Sequence, residues 1–122
     1  FYSPPDQFGK GSLSAVFTQA GVRVPNLALD AFIARIGRSP SLIKIDVEGY
    51  EYSVFQSGRE YLRRERPEIV FEFCDWAEEH AGRRPGDAQR LLFELGYPTV
   101  ALQAPIETGF EMLWACPAER YG

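Results

Sequence analysis

Leu42-Ile43-Lys44-Ile45-Asp46-Val47-Glu48-Gly49 is the stretch whose reading decides the fold. Its first six residues, LIKIDV, form a short, β-branched, mostly apolar run. In an extended strand Ile43, Ile45 and Val47 point one way, and Lys44 and Asp46 point the other. With Leu42 also apolar, the run fits a strand buried in a parallel sheet. Gly49 ends it and allows a tight strand-to-helix turn. Asp46, Val47 and Glu48 then lie at the carboxyl end of the strand, where ligands of open α/β sheets bind.

Working outward, the apolar period changes on both sides. Upstream, Leu29, Phe32, Ile33 and Ile36 recur at the spacing of one helix face, with Asp30 early in it, Gly37 as its stop and Pro40 beyond. Downstream, Tyr50 to Arg64 reads as one helix, with Tyr50, Val54, Tyr61 and Leu62 near one face and Pro67 ending it. Glu68 to Phe73 (EIVFEF) is a second strand. Cys74 to Pro85 is polar and loop-like, with room for a helical turn. Ala88, Leu91, Leu92 and Leu95 mark a helix from Pro85 or Gly86, capped by Gly96. Pro98 to Leu102 and Phe110 to Cys116 are two further strands. Strands alternating with helices predict a parallel sheet covered on both faces. The connection from Gln103 to Gly109 is shorter than the dozen or so residues a parallel crossover takes, so the last strand should run antiparallel. Beside the Glu68–Phe73 strand, that places Cys74 and Cys116 at opposite ends of about 20 Å of strand, beyond disulfide reach. The lead-in is less patterned: Ser12 to Phe17 reads as a short strand or turn, and Gly21 to Pro25 as a short extended piece.

Composition bounds the function. The 122 residues are 45% hydrophobic and 25% charged, ordinary for one soluble domain. A net charge of -4 argues against a nucleic-acid or anionic-membrane partner. Two cysteines and one histidine cannot build a structural zinc site, and free thiols point to a cytoplasmic location. No apolar run approaches the length of a membrane span, and Pro4, Pro5 and Asp6 stand where a signal peptide would be apolar. The chain opens on Phe1 rather than methionine, which points to a fragment.

The run Lys44-Ile45-Asp46-Val47-Glu48-Gly49, followed by Tyr50-Glu51, resembles the signature of FkbM-family methyltransferases. Leu29-Asp30-Ala31-Phe32 upstream and Pro67-Glu68-Ile69-Val70-Phe71-Glu72 downstream match flanking segments of that family, so the resemblance spans about Val24 to Tyr97. It implies the C-terminal half of a Rossmann-like methyltransferase sheet, in one partial domain: an irregular lead-in over 1–23 and an α/β half-sheet over 24–117. It further implies transfer of a methyl group from S-adenosylmethionine to a hydroxyl of a small-molecule acceptor, such as a sugar or secondary metabolite. The family's Gly-rich donor loop has no counterpart before Leu29; Gly9-Lys10-Gly11 is too short and sits in an irregular stretch. The donor-binding half is thus expected to be absent, and no residue is assigned to the cofactor. A non-catalytic binding or assembly module is the alternative, because half a sheet leaves an unpaired strand edge that invites homo-oligomers.

Within that frame Glu48 is assigned the acceptor side, as the base that takes the hydroxyl proton, and Asp46 organises the site. Lys44, Asp46 and Glu48 share a side if the strand stays extended to Glu48. A helix N-cap is the competing reading for Glu48. Glu72, at the same rim, either shapes the acceptor pocket or is solvated. Lys44 is a substrate-binding candidate that could equally snorkel to the surface. Asp75, Glu78 and Glu79 near His80 read as a flexible polar loop rather than a metal site, and no metal is expected. Phe71, Phe73 and Trp76 read as core and rim, Trp114 as core.

Overall fold

The structure is a computed structural model that describes residues 1–6, 11–15, 17–104 and 109–120. The Gly9-Lys10 pair and residues 105–108 of the turn-rich connection lie outside the described residues. The sheet is built on β2 (Glu68–Cys74). β1 (Leu42–Ile45) pairs parallel to it, from Leu42 beside Glu68 to Ile45 beside Phe71. On its other side β4 (Phe110–Ala115) pairs antiparallel, from Ile69 beside Ala115 to Cys74 beside Phe110. β3 (Thr99–Ala101) closes the order β1-β2-β4-β3. The last strand is therefore antiparallel, as its short connection requires. Cys74 and Cys116 are free, buried, and at opposite ends of this pairing.

One face of the sheet carries Ile43, Ile45, Ile69, Phe71, Leu113 and Ala115. Against it pack α1 (Leu29–Ile36), α2 (Glu51–Ser57), α3 (Arg59–Glu65) and α5 (Asp87–Glu94), which contribute Ile33, Phe55, Tyr61, Leu62, Ala88, Leu91 and Leu92. The Phe55 ring meets the Phe71 ring edge-on at 5.2 Å. On the opposite face Lys44 is exposed, and Val70, Glu72, Met112 and Trp114 are half-buried. Helices on both faces were expected; those that fill this core lie on one. The reason is chirality. From β1 to β2 to β3 the chain steps in one direction across the sheet, and right-handed crossovers then put every connecting helix on the same side. Trp114 accordingly lies outside the core, where its Nε1 donates to Glu68 Oε2 at 3.1 Å.

One local reading changes and two are extended. The single helix from Tyr50 to Arg64 is two helices, broken at Gly58, where the Leu29 side chain presses so close that a Cβ would clash with it. Asp30 stands in the first turn of α1, as expected, and its carboxylate also accepts the N–H groups of Glu60 (3.3 Å) and Tyr61 (2.8 Å), so that it caps α3 as well. The polar stretch after Cys74 begins with a helix, α4 (Asp75–His80). Its Glu78 is buried and accepts from the N–H groups of Gly86 (2.6 Å) and Ala88 (3.1 Å), which fastens the entry to α5. In the lead-in, Tyr2 bridges to Ser12 and Gly21, and no strand spans Ser12 to Phe17 among the described residues. Among the described residues no helix is long and apolar enough to cross a membrane.

Gly49 and Gly37 separate two kinds of glycine requirement. Both have left-handed backbone, with φ of 93° and 63°, but a Cβ on Gly49 would run into the Ala77 carbonyl, whereas nothing lies near one on Gly37. Gly37→Ala should cost about 1 kcal/mol, the strain alone. Gly49→Ala should cost upwards of about 2 kcal/mol, because α4 must also move. Urea unfolding of both variants measures the difference, and equal losses would contradict the close approach of α4.

Candidate active site

β1 and β2 end side by side, and each delivers acid to the rim. β1 closes at Ile45 and is followed by Asp46, Val47 and Glu48; Glu72 lies one residue past Phe71, the partner of Ile45. The turn between β1 and α2 then reverses tightly. Glu48 and Gly49 both have positive φ, 52° and 93°, and Tyr50 N donates to Val47 O at 3.4 Å. Consecutive left-handed residues at the centre of such a turn are the signature of type I′ geometry. The strand is therefore not extended through Glu48, which corrects the alternation argument. Glu48 is not an N-cap either: Tyr50 holds that position, and no side chain bonds there.

The turn reaches by another route what extension was invoked for. One carboxylate oxygen each from Asp46, Glu48 and Glu72 lies within 4.8 Å of the others. Lys44 Nζ donates to Asp46 Oδ2 at 2.8 Å on the outer side, with both groups largely exposed. That contact is the first cause raising the Lys44 pKa, and a surface pair of this kind adds little to stability. Asp46 and Glu72 thus share the neighbouring Lys44 ammonium. Burial pushes the Glu72 carboxyl up to about 7; the charges of Asp46 and Glu48, a hydrogen bond with Asp46, and the charge of Glu51 push the same way. At neutral pH the cluster holds a proton that Glu72 can give or take, which is the property of a general acid or base. Three carboxylate oxygens this close are also a set around which waters complete the shell of a divalent cation; the group is read here as a proton-sharing one, and no ion is assigned to it.

Asp46, Val47 and Glu48 form one wall of a cleft of about 500 Å³, within the usual range for small-molecule sites. Phe1, Ser3, Gly11, Ser12 and Leu13 form the other. Ser12 Oγ donates to Glu48 O at 3.4 Å, and Phe17 meets the Trp76 ring edge-on at 6.1 Å. The lead-in thus lies over the strand ends, a placement that its lack of periodicity does not reveal.

Sequence reasoning also missed Glu51. It is 2% exposed, and its Oε1 accepts the N–H of Val47 at 3.2 Å. The remaining candidates separate from the site. His80 Nδ1 lies 2.6 Å from Trp76 O, and burial pushes the Cys74 thiol up to about 11, so no Cys–His pair forms.

Residues 2–99 match the family model described as the methyltransferase FkbM domain. Neither a curated protein nor a solved structure matches the chain.

The raised carboxyl makes a signed prediction. Between the ordinary value of 4.5 and about 7 the unfolded chain releases a proton that folded Glu72 keeps. Stability should therefore fall as pH rises through that window. Glu72→Gln should flatten this slope and raise the urea midpoint relative to the parent at pH 8. Parallel stability–pH curves for the two proteins would remove the shared proton from the account.

Proposed function

The chain belongs to the FkbM methyltransferase family, and from that premise we propose that it forms the acceptor side of a methyl transfer from S-adenosylmethionine to a hydroxyl oxygen of a sugar or secondary metabolite. The observation that carries this reading is the meeting of Asp46, Glu48 and Glu72 at the carboxyl ends of two parallel strands, beside a cleft. S-adenosylmethionine brings an electrophilic methyl group on a positively charged sulfur. Glu48 orients the acceptor hydroxyl and takes its proton as the oxygen–carbon bond forms and the carbon–sulfur electron pair leaves with sulfur. Asp46, held by Lys44, organises the cluster, and Glu72, behind the cleft wall formed by Asp46 and Glu48, shapes the acceptor pocket through them and buffers the proton. The net negative charge of the trio also favours a cationic donor over its neutral product.

The described residues do not suit the rest of the donor. They contain no strand, Gly-rich loop and helix ahead of α1 that could cradle its nucleotide. We place that half in sequence outside these 122 residues, all of which we take as one partial domain. The position of α1 supports this. It packs in one layer with α2 and α3, so a parallel strand feeding it by a right-handed connection would lie on the free edge of β1. The buried free thiols suit a cytoplasmic setting.

An assembly module is the second reading, favoured by exposed apolar surface. Leu13, Val22, Val24, Leu27, Phe32, Ile36 and Leu42, all within or ahead of β1, are exposed. The chain exposes 7546 Å² at 13.8 kDa, against about 6,600 Å² for a compact protein of that mass. The excess is of the order of one side of a standard interface, about 800 Å².

Three measurements test these readings. In the full-length protein, Glu48→Gln should lower methyl transfer from labelled S-adenosylmethionine to a panel of sugar and polyketide hydroxyls by roughly 10²–10⁴-fold. Undiminished transfer would take Glu48 out of the chemistry. The isolated 122-residue chain should self-associate in light scattering and show no micromolar binding of S-adenosylmethionine by calorimetry. A monodisperse monomer would defeat the free-edge argument, and tight binding would defeat the separation of the donor half.

A further inference from the structure

We propose that Glu51 is a positioning residue, whose buried carboxylate clamps the left-handed turn at Glu48 and Gly49 and so holds the Glu48 side chain against Asp46 and Glu72. The inference rests on the reading of those three acids as the working site. It starts from the backbone. Glu48 is not a glycine, yet its φ is 52°, a conformation that costs an L residue of order 1 kcal/mol. The turn bond from Tyr50 N to Val47 O and the bond from Ser12 Oγ to Glu48 O are both long, at 3.4 Å.

Glu51 supplies a further hold. Its side chain folds back from the first position of α2 into the turn, where its Oε1 accepts the N–H of Val47 at 3.2 Å. The N–H groups of Gly49 and of Glu51 itself also favour the carboxylate, so the acid acts on the residues to either side of Glu48. A turn bonded from one buried acceptor has little freedom to open, since opening would leave that acceptor unsatisfied. Gly49 is pinned independently by the Ala77 carbonyl, which leaves no room for the turn to swing toward α4. Burial pushes the Glu51 carboxyl upward despite the three N–H groups, and the buried Glu78 adds to the rise. An apolar residue there would avoid that cost of burial but would leave the turn's N–H groups without an acceptor. The clamp thus differs from an ordinary helix cap in what it secures: the direction of the next side chain at the rim.

The test reads the geometry through Glu72, whose titration depends on its burial and, after that, on how near Asp46 and Glu48 stand. Carboxyl carbon NMR on the intact chain follows Glu72 in Glu51→Gln, Glu51→Asp and Glu51→Ala. All of Lys44, Asp46, Glu48 and Glu51 act on Glu72, so removal of the Glu51 charge must be separated from movement of Glu48. Gln and Ala both remove the charge, but only Gln keeps an acceptor oxygen in place. The Glu72 midpoint should stay near about 7 in the Gln variant and fall toward 4.5 in the Asp and Ala variants. Equal falls in Gln and Ala, or no change in any variant, would overturn the proposal. Should the Ala variant not fold, the Gln–Asp comparison decides by the same outcomes. A merely structural Glu51 would lower the melting temperature without moving Glu72. Because no substrate enters the measurement, its failure is separate from a failure of Glu48 to act in methyl transfer.

Discussion

The register of β1 on β2, Ile45 beside Phe71, is the constraint from which the rest of the molecule follows. It places Ile43, Ile45, Ile69 and Phe71 on the helix-covered face together. By the same alternation it places Lys44, Val70 and Glu72 on the other face, with Asp46 leaving β1 as Glu72 leaves Phe71. A slip of one residue would turn Ile69 and Phe71 out of the core, so the register is specified by burial rather than by any interaction among the acids. The acids are thus carried together by apolar packing and cannot relax apart without a loss in the core. That is how a sheet can hold like charges a few ångströms from one another and hold a proton between them.

Much of this was legible in the sequence, and the parts that were share a physical basis. LIKIDV, EIVFEF and FEMLWAC are strongly β-prone runs whose sidedness follows from a two-residue period, and Leu29, Phe32, Ile33 and Ile36 repeat at a helical period. Local pattern also sufficed for the antiparallel last strand, because a connection too short to cross a sheet is a matter of length alone. Asp46, Glu48 and Glu72 could be nominated because they end such runs. Their convergence could not, since it depends on a positive φ at Glu48, which no propensity favours.

What stayed hidden involves partners distant in sequence. Asp30 caps a helix 30 residues away, Gly58, at a helix break, lies so close to the Leu29 side chain that a Cβ would clash with it, and Glu78 bonds the entry of another helix. Each depends on which element packs where, and none leaves a local mark. Glu51 is the instructive case, because it directly follows the motif and could have been noticed. A carboxylate at the start of a helix reads as a surface group complementing the dipole. Only its burial reveals that it faces inward to bind backbone.

Handedness joins the fold to the proposed function. All the core helices lie on one face because the chain steps one way from β1 to β3. In an open α/β sheet, ligands gather where the stepping direction reverses. A strand that feeds α1 from beyond the free edge of β1 continues this same stepping, so a reversal needs earlier strands, wound the other way, between it and β1. Under the proposed function those strands belong to the donor half, and the turn from Asp46 to Gly49 then stands at the mouth of the crevice they share with β1. The acids and the cleft lined by Phe1, Ser12 and Leu13 lie at the same strand end. A clamp on this turn would therefore act where donor and acceptor must meet, which gives a physical reason for spending a buried carboxylate there.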